Sequence, residues 1–220
     1  MSTSFKNKKF VMSYSCGKDS TLALHKAVAR GGVPVALLVM FNPDSGRSFF
    51  HGATGEMLSR YSESLQIPLL CVPSSGKEYH LAMETALCKA KNMGAEFACF
   101  GDIDIEDHRL WGEERCKSAG LSAIYPLWHA NRAENAHEVI NLGYKCIIKS
   151  IDNTKLPKYL LGKILDEAVL EEMERCGIDI CGENSEYHTL TVDGPLFNTP
   201  IAYQTGGILD FGAHSLIEIE

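Results

Sequence analysis

Apolar positions change their period several times along the first 130 residues. Residues 10–14 form a short apolar run that breaks into a polar, glycine-containing turn, the pattern of a strand. Within residues 20–30, Leu22, Leu24, Ala27 and Val28 fall at helical spacing, and Gly31-Gly32 closes the segment. Residues 33–41 are almost uninterrupted aliphatic residues, as in a strand buried on both faces. Turn chemistry follows at 42–46. The same reasoning predicts helices over 54–65, 77–92 and 106–119, the last stopped by Gly120. It predicts strands over 68–72, over 96–100 ending at Gly101-Asp102, and over 122–127. Strand and helix alternating at this spacing predict an α/β fold built on a five-stranded parallel sheet with right-handed crossovers.

Beyond residue 130 the rhythm differs. Helices are predicted over 134–142 and 160–176, and short strands over 186–192, 200–204 and 215–219. This is a smaller α+β C-terminal subdomain, with the change of pattern near 128–150. The division is therefore 1–130 and 131–220. Charge divides similarly. Residues 1–150 carry 17 basic and 15 acidic side chains, whereas residues 151–220 carry 4 and 13. A broad nucleic-acid face needs a basic stripe, so none is expected, though a small basic nucleotide pocket in the first part is compatible. The polar, basic start lacks an apolar leader core, and the run 33–41 is far short of the ~20 residues of a membrane span. The eight cysteines form no CxxC pair and fall mostly in apolar segments. Free thiols, a cytoplasmic location and no membrane partner are expected. Oligomeric state is not legible, and a homo-oligomer stays open.

The chemistry-bearing signal is Ser15-Cys16-Gly17-Lys18-Asp19-Ser20, between the first strand and first helix. A helix N-terminus there offers free N–H groups and the positive end of the dipole to an anion. Gly17 permits close approach of a phosphate, Lys18 adds a point charge, and the hydroxyls of Ser15 and Ser20 add donors. Asp19 could hold Mg²⁺ or orient Lys18. This is not a Walker A loop: Met12 stands where its first glycine belongs, and Asp19 where Ser or Thr follows the lysine. A second concentration of polar residues lies at 182–195. Glu183, Glu186, His188 and Asp193 could serve a cation, an amine or a proton transfer. On residue type alone, an exposed acidic hairpin turning at Asp193-Gly194-Pro195 explains that segment better.

The first loop resembles the SGGKDS pyrophosphate loop of the N-type ATP pyrophosphatases, with Cys16 in place of a usual glycine. The segment 182–195 resembles the GExGEY(E/H)T…DGP signature of the diphthine–ammonia ligase family within that superfamily. Glu183, Glu186, Tyr187, Thr189 and Asp193 match, while Asn184 and Ser185 replace glycines. Gly101-Asp102, then His108-Arg109, Glu113 and Pro126-Leu127-Trp128 resemble the family's middle block. His51 resembles a position near its nucleotide pocket.

The resemblance implies a sheet of the adenine nucleotide α-hydrolase (HUP) type that binds ATP and Mg²⁺. It implies a carboxylate acceptor that is adenylated, with release of pyrophosphate, and then amidated by ammonium. Diphthine on elongation factor 2 is the implied acceptor in an archaeon or eukaryote, and another carboxylate in a bacterium. It assigns ATP to Ser15, Cys16, Gly17, Lys18, Asp19, Ser20, Met40, His51, Gly101 and Asp102. Catalysis would fall to Lys18, Asp19, Glu183 and Glu186, with the metal at Asp19. The acceptor would meet Arg109, Glu113, Trp128, Tyr187, His188, Thr189 and Asp193. Two other readings are an RNA-thiolating pyrophosphate-loop enzyme, favoured by the cysteines, and a non-catalytic ATP or AMP sensor.

Overall fold

The structure, a computed structural model, describes residues 5–220. The first half runs β1 (Lys9–Ser13), α1 (Lys18–Ala29), β2 (Val33–Asn42), β3 (Arg47–Ser48), α2 (Gly55–Leu65), β4 (Leu69–Pro73), α3 (Tyr79–Asn92), β5 (Phe97–Cys99), α4 (Glu106–Ala119) and β6 (Ser122–Ile124). Five of these strands are parallel, in the order β4-β2-β1-β5-β6. β3 is a short antiparallel addition to the end of β2. The expected five-stranded parallel α/β sheet is therefore present, with one small strand besides.

The second half contains α5 (Arg132–Asn141), β7 (Lys145–Asp152), α6 (Glu167–Arg175), β8 (Tyr187–Asp193), β9 (Thr205–Asp210) and β10 (His214–Ile219). Its antiparallel sheet has the order β8-β7-β10-β9. β7 is the strand not anticipated, although Cys146, Ile147, Ile148 and Ile151 supply its buried positions. Two expectations need correction. Residues 160–176 are not one helix. A 3₁₀ turn at Lys158–Leu160 leads to an extended stretch that bridges Ile164 to Ile147, and Asp166 then caps α6 by accepting from Val169 N at 2.9 Å. Gly162, at φ 80°, and the Asp166 cap end and restart the chain where apolar spacing alone reads as continuous helix. The strand expected at 200–204 instead occupies Thr205–Asp210. All six of its residues are exposed, so it carries no alternating pattern.

Topology places a crevice. The chain winds from β1 outward to β2 and β4, then returns to the other side of β1 for β5 and β6. Strand order thus reverses between β1 and β5. In an open parallel sheet, ligands bind beyond the carboxyl ends of the strands at such a switch point. The loop 14–17 leaves β1 there, and Phe100 to Ile105 leave β5 there. One face of the sheet is covered by α3 and α4, with Leu87, Ala98 and Cys116 in its core. The other face packs into a larger core that includes Tyr14, Leu22 and Tyr61 together with Ile147, Tyr187 and Leu190 of the second sheet.

Candidate active site

α1 begins at Lys18 because Gly17 is still extended, at φ −83° and ψ 171°. The turn is tied internally. Ser20 Oγ and Thr21 Oγ1 donate to Gly17 O at 3.0 and 2.9 Å, and Ser15 Oγ meets Ser20 Oγ at 3.0 Å. Cys16 holds a left-handed conformation, φ 69°, and its side chain is fully buried in the core beneath the loop. Gly101 lets the two switch-point loops touch, since a Cβ there would stand 2.9 Å from Ser20 N and 3.0 Å from Ser20 Cα. At Gly17 a Cβ would stand 2.4 Å from Cε1 of His51.

β8 closes the crevice from the second half. Thr191 N donates to Cys16 O at 2.8 Å, and Lys18 N donates to Thr189 Oγ1 at 3.1 Å. The Nδ1 of His51 lies 2.6 Å from Thr189 O, so it carries the proton and leaves Nε2 as the acceptor. His51 and His188 rings meet edge to face at 5.1 Å. The result is a cleft of about 480 Å³. Its polar end holds Lys18, Asp19, Asp102, Glu183 and His188. Its apolar end is walled by Phe49, Tyr79 and Trp111, with ring centroids 5.2 Å apart for Phe49–Tyr79 and 5.9 Å for Tyr79–Trp111.

The charges of the polar end are coupled. Lys18 is buried and bonds both oxygens of Asp19, at 2.9 and 2.7 Å, with its ammonium 5.4 Å from the Tyr187 ring centroid. Burial opposes its charge, yet Asp19 and its other neighbours hold its pKa well above the ordinary lysine value. Burial pushes the Glu183 carboxyl up to about 7; Asp19 adds to the shift and Lys18 opposes it. Burial likewise raises Asp102. It lowers His51 to about 3, assisted by His188, and lowers His188 too. Both imidazoles are therefore neutral at pH 7.

Carboxylate oxygens of Asp19 and Glu183 and the Sγ of Cys181 lie within 4.8 Å of one another. Two carboxylates beside a helix N-terminus suit Mg²⁺, which takes one or two protein carboxylates and completes its shell with water or other oxygen ligands. Burial raises the Cys181 pKa, and a protonated thiol is not a ligand for so hard an ion.

Of the residues singled out from sequence, Ser15, Lys18, Asp19, Ser20, Met40, His51, Gly101, Asp102, His108, Glu183, Ser185, Tyr187, His188 and Thr189 line this cleft. Cys16 and Gly17 support it from beneath. The others lie elsewhere. Glu186 is buried and accepts from Asn184 N at 2.9 Å and Asn184 Nδ2 at 3.1 Å, with Lys155 at 3.7 Å, so it shapes the turn before β8. Asp193 sits at the far end of β8, where its Oδ1 accepts from Gly194 N. Arg109 pairs along its own helix with Glu106 and with Glu113 at 2.6 Å, and its guanidinium stacks 5.4 Å from the Trp128 ring. A strand and helix outline cannot separate such surface pairs from site residues. Tyr79, Trp111 and Cys181 were missed. Cys181 stands one position before the 182–195 block, and Trp111 lies on the α4 face that meets Tyr79.

No described helix is long and apolar enough to cross a membrane. The chain is 26% identical to the diphthine–ammonia ligase of Bos taurus, covering 93% of this chain and 86% of that protein. It is 27% identical to that of Rattus norvegicus, over 87% and 81%. The corresponding protein of Schizosaccharomyces pombe is 25% identical over 85% of this chain, which spans 34% of that longer protein. A solved structure described as a predicted subunit of tRNA methyltransferase from Methanocaldococcus jannaschii aligns with TM-score 0.45 and 13% identity, covering 86% of this chain and 98% of that one. The diphthamide synthase N-terminal domain matches residues 8–123, which hold the parallel sheet, and the diphthamide synthase C-terminal domain matches 131–220, which hold the antiparallel one. Matched along nearly its whole length, the chain belongs to the diphthamide synthase family.

Proposed function

We propose that this protein is an ATP-dependent ligase that adenylates a carboxylate and amidates it with ammonium, the acceptor being a diphthine-bearing protein. One observation carries the reading. The Lys18 loop and the segment from Glu183 to Thr189 form facing walls of a single cleft, joined directly by the hydrogen bond from Lys18 N to Thr189 Oγ1. A nucleotide loop and a polar acceptor wall must converge in this way if one active site is to activate a carboxylate and then replace the leaving AMP.

In this scheme residues 1–130 bind ATP and residues 131–220 supply the acceptor wall. The triphosphate lies along Ser15 to Ser20, and the adenine lies toward Met40 and the aromatic end. An acceptor carboxylate attacks the α-phosphorus. Pyrophosphate leaves against Lys18 and the N-terminal amides of α1, where charge developing in the transition state meets fixed donors. Ammonia then attacks the acyl-adenylate carbonyl, and AMP departs. Glu183 stands beside the reacting centre as the group that accepts a proton from ammonium. Asp19 would hold Mg²⁺, which when bound would neutralise phosphate charge, and Glu183 would stay free to take the proton. The neutral His51 and His188 leave the acceptor wall free of competing cations. The eight free cysteines support a cytoplasmic setting.

Phosphorus NMR with Mg·ATP, ammonium and diphthine-bearing elongation factor tests the reading. AMP and pyrophosphate in equal amounts are expected, dependent on acceptor and ammonium. ADP with phosphate would overturn it. Lys18→Ala should lower kcat/KM by about 10² or more, since it removes a charge aimed at the transition state; undiminished activity would remove Lys18 from the mechanism.

A further inference from the structure

Arg132 opens α5 and lies outside every motif legible in the sequence. Its guanidinium joins three segments. Nε and Nη2 close on the two oxygens of Asp104, at 2.7 and 2.6 Å. Nη1 reaches Asp179 Oδ2 at 2.7 Å and the side-chain oxygen of Asn184 at 3.3 Å. Asp104 belongs to the loop after β5, two residues beyond the cleft residue Asp102. Asp179 and Asn184 flank Cys181 and Glu183. A bidentate Arg–carboxylate fork fixes the guanidinium plane, so its remaining edge points in one direction, toward 179–184.

The segment between α6 and β8 is shaped by short-range bonds. Gly182 N donates to Asp179 O at 2.9 Å, Cys181 N to Asp179 Oδ1 at 2.9 Å, and Ser185 N to Gly182 O at 3.2 Å. Asp179 therefore works with both oxygens: Oδ1 organises the turn that presents Cys181 and Glu183, and Oδ2 holds that turn to Arg132. Lys155, at 3.3 Å from Asn184 O, and the Tyr187 hydroxyl, at 2.6 Å from Ile180 O, anchor the segment's two sides. Without the guanidinium, Asp104 and Asp179 would lose their shared cation close to Glu183, while Lys18 is already engaged by Asp19.

We propose that Arg132 is a positioning residue for the ammonium half of the reaction. It ties the loop after β5 to segment 179–184 and so holds Glu183 and Cys181 against Asp19, without touching the nucleotide. The ammonium assignment rests on the ligase reading above; the tie itself does not.

The test uses the full chain carrying Arg132→Ala or Arg132→Lys, with two readouts. The first needs no turnover: iodoacetamide labelling of Cys181 followed by peptide mass spectrometry, with Cys16 and Cys146 as references, all three being buried. Labelling of Cys181 should rise about tenfold in Arg132→Ala through local opening, with the references unchanged. The rise should be smaller in Arg132→Lys, whose single ammonium cannot span both carboxylates, and free guanidinium should reverse it in Arg132→Ala. Unchanged Cys181 labelling would overturn the proposal, as would an equal rise at all three cysteines.

The second readout is kinetic. The ammonium KM should rise about tenfold while the Kd for ATP stays within about twofold, the mark of a misplaced group rather than a damaged fold. Equal losses in both would overturn the ammonium role. Wild-type protein without ammonium-dependent AMP formation would count against the ligase reading, and Cys181 labelling would then decide the role of Arg132.

Discussion

An alanine methyl at position 101 would stand 2.9 Å from Ser20 N, 3.0 Å from Ser20 Cα and 3.1 Å from the Asp19 carbonyl carbon. These are backbone atoms of the first turn of α1, so relief requires moving the start of that helix itself. Gly101→Ala should cost about 1–3 kcal/mol, the usual range for overpacking, and should weaken ATP binding as well. Denaturant unfolding and ATP titration measure the two effects; normal ATP affinity in the variant would show that the loop has another way to yield. Ser185 and Cys16 are a different case. Both replace glycines of the family signatures, and both keep the left-handed backbone, at φ 61° and φ 69°. The sequence exposed the departures but not that the conformation survives them. Ser185 is exposed, so Ser185→Gly should gain up to about 1 kcal/mol, the left-handed penalty relieved less the entropy glycine adds to the unfolded chain. Cys16→Gly should gain nothing, because it also empties a fully buried side chain. Urea midpoints for the pair would reverse this account if Cys16→Gly proved the more stable.

Elements with a buried face and a defined stop were readable: α4 ends at Gly120 in the left-handed region, and α2 starts at the capping Thr54. Their apolar spacing and their punctuation agree, so pattern alone suffices. β9 was displaced because a strand exposed along its whole length has no period to read. β7 was lost at a presumed boundary, where Lys149 interrupts its apolar run. That lysine sits where the pairing of β7 with β8 shifts register, and it is buried, donating to Ile217 O of β10. Burial lowers its pKa from 10.5 to about 8; Arg47 adds to the shift, while Glu218 and Glu220 oppose it. Between those values the unfolded chain binds more protons than the folded one, so stability rises with pH across the window from 8 to 10.5. Below pH 8 the full penalty of the buried charge is present. Lys149→Met should abolish the rise. Thermal unfolding at pH 7.5, 9 and 10 checks it, and an unchanged slope in the variant would assign the rise to other groups. The candidate site was legible unevenly: the polar turn leading into Lys18 interrupts apolar runs, whereas Gly101 and Glu183, the latter in a segment that residue types alone read as an exposed hairpin, stood out only through the family resemblance. Arg132, on a helix end, and Trp111, on a helix face, break no pattern.

At the scale of the molecule, the boundary in sequence is not a boundary in packing. Tyr14, Leu22 and Tyr61 of the first half share one buried core with Ile147, Tyr187 and Leu190 of the second. The Tyr61 hydroxyl donates to Thr191 O at 2.6 Å, Thr191 N to Cys16 O at 2.8 Å, and Asn198 N to Ser64 O at 2.9 Å. β8 thus completes the first half as well as its own sheet. Removing it would leave the buried Tyr61 hydroxyl and the Cys16 carbonyl without these partners, and would strip the apolar cover from one face of the parallel sheet. The two halves should therefore unfold together. Calorimetry should give one transition with equal calorimetric and van't Hoff enthalpies, the signature of a two-state change. ATP at about 100 times its Kd should stabilise by about 2.7 kcal/mol and raise that single Tm by roughly 5–10 °C. Residues 1–130 expressed alone should show neither a cooperative transition nor ATP binding. A fragment that melts cooperatively and binds ATP would mean that the phosphate loop is built by the first half unaided, and that β8 serves the acceptor only.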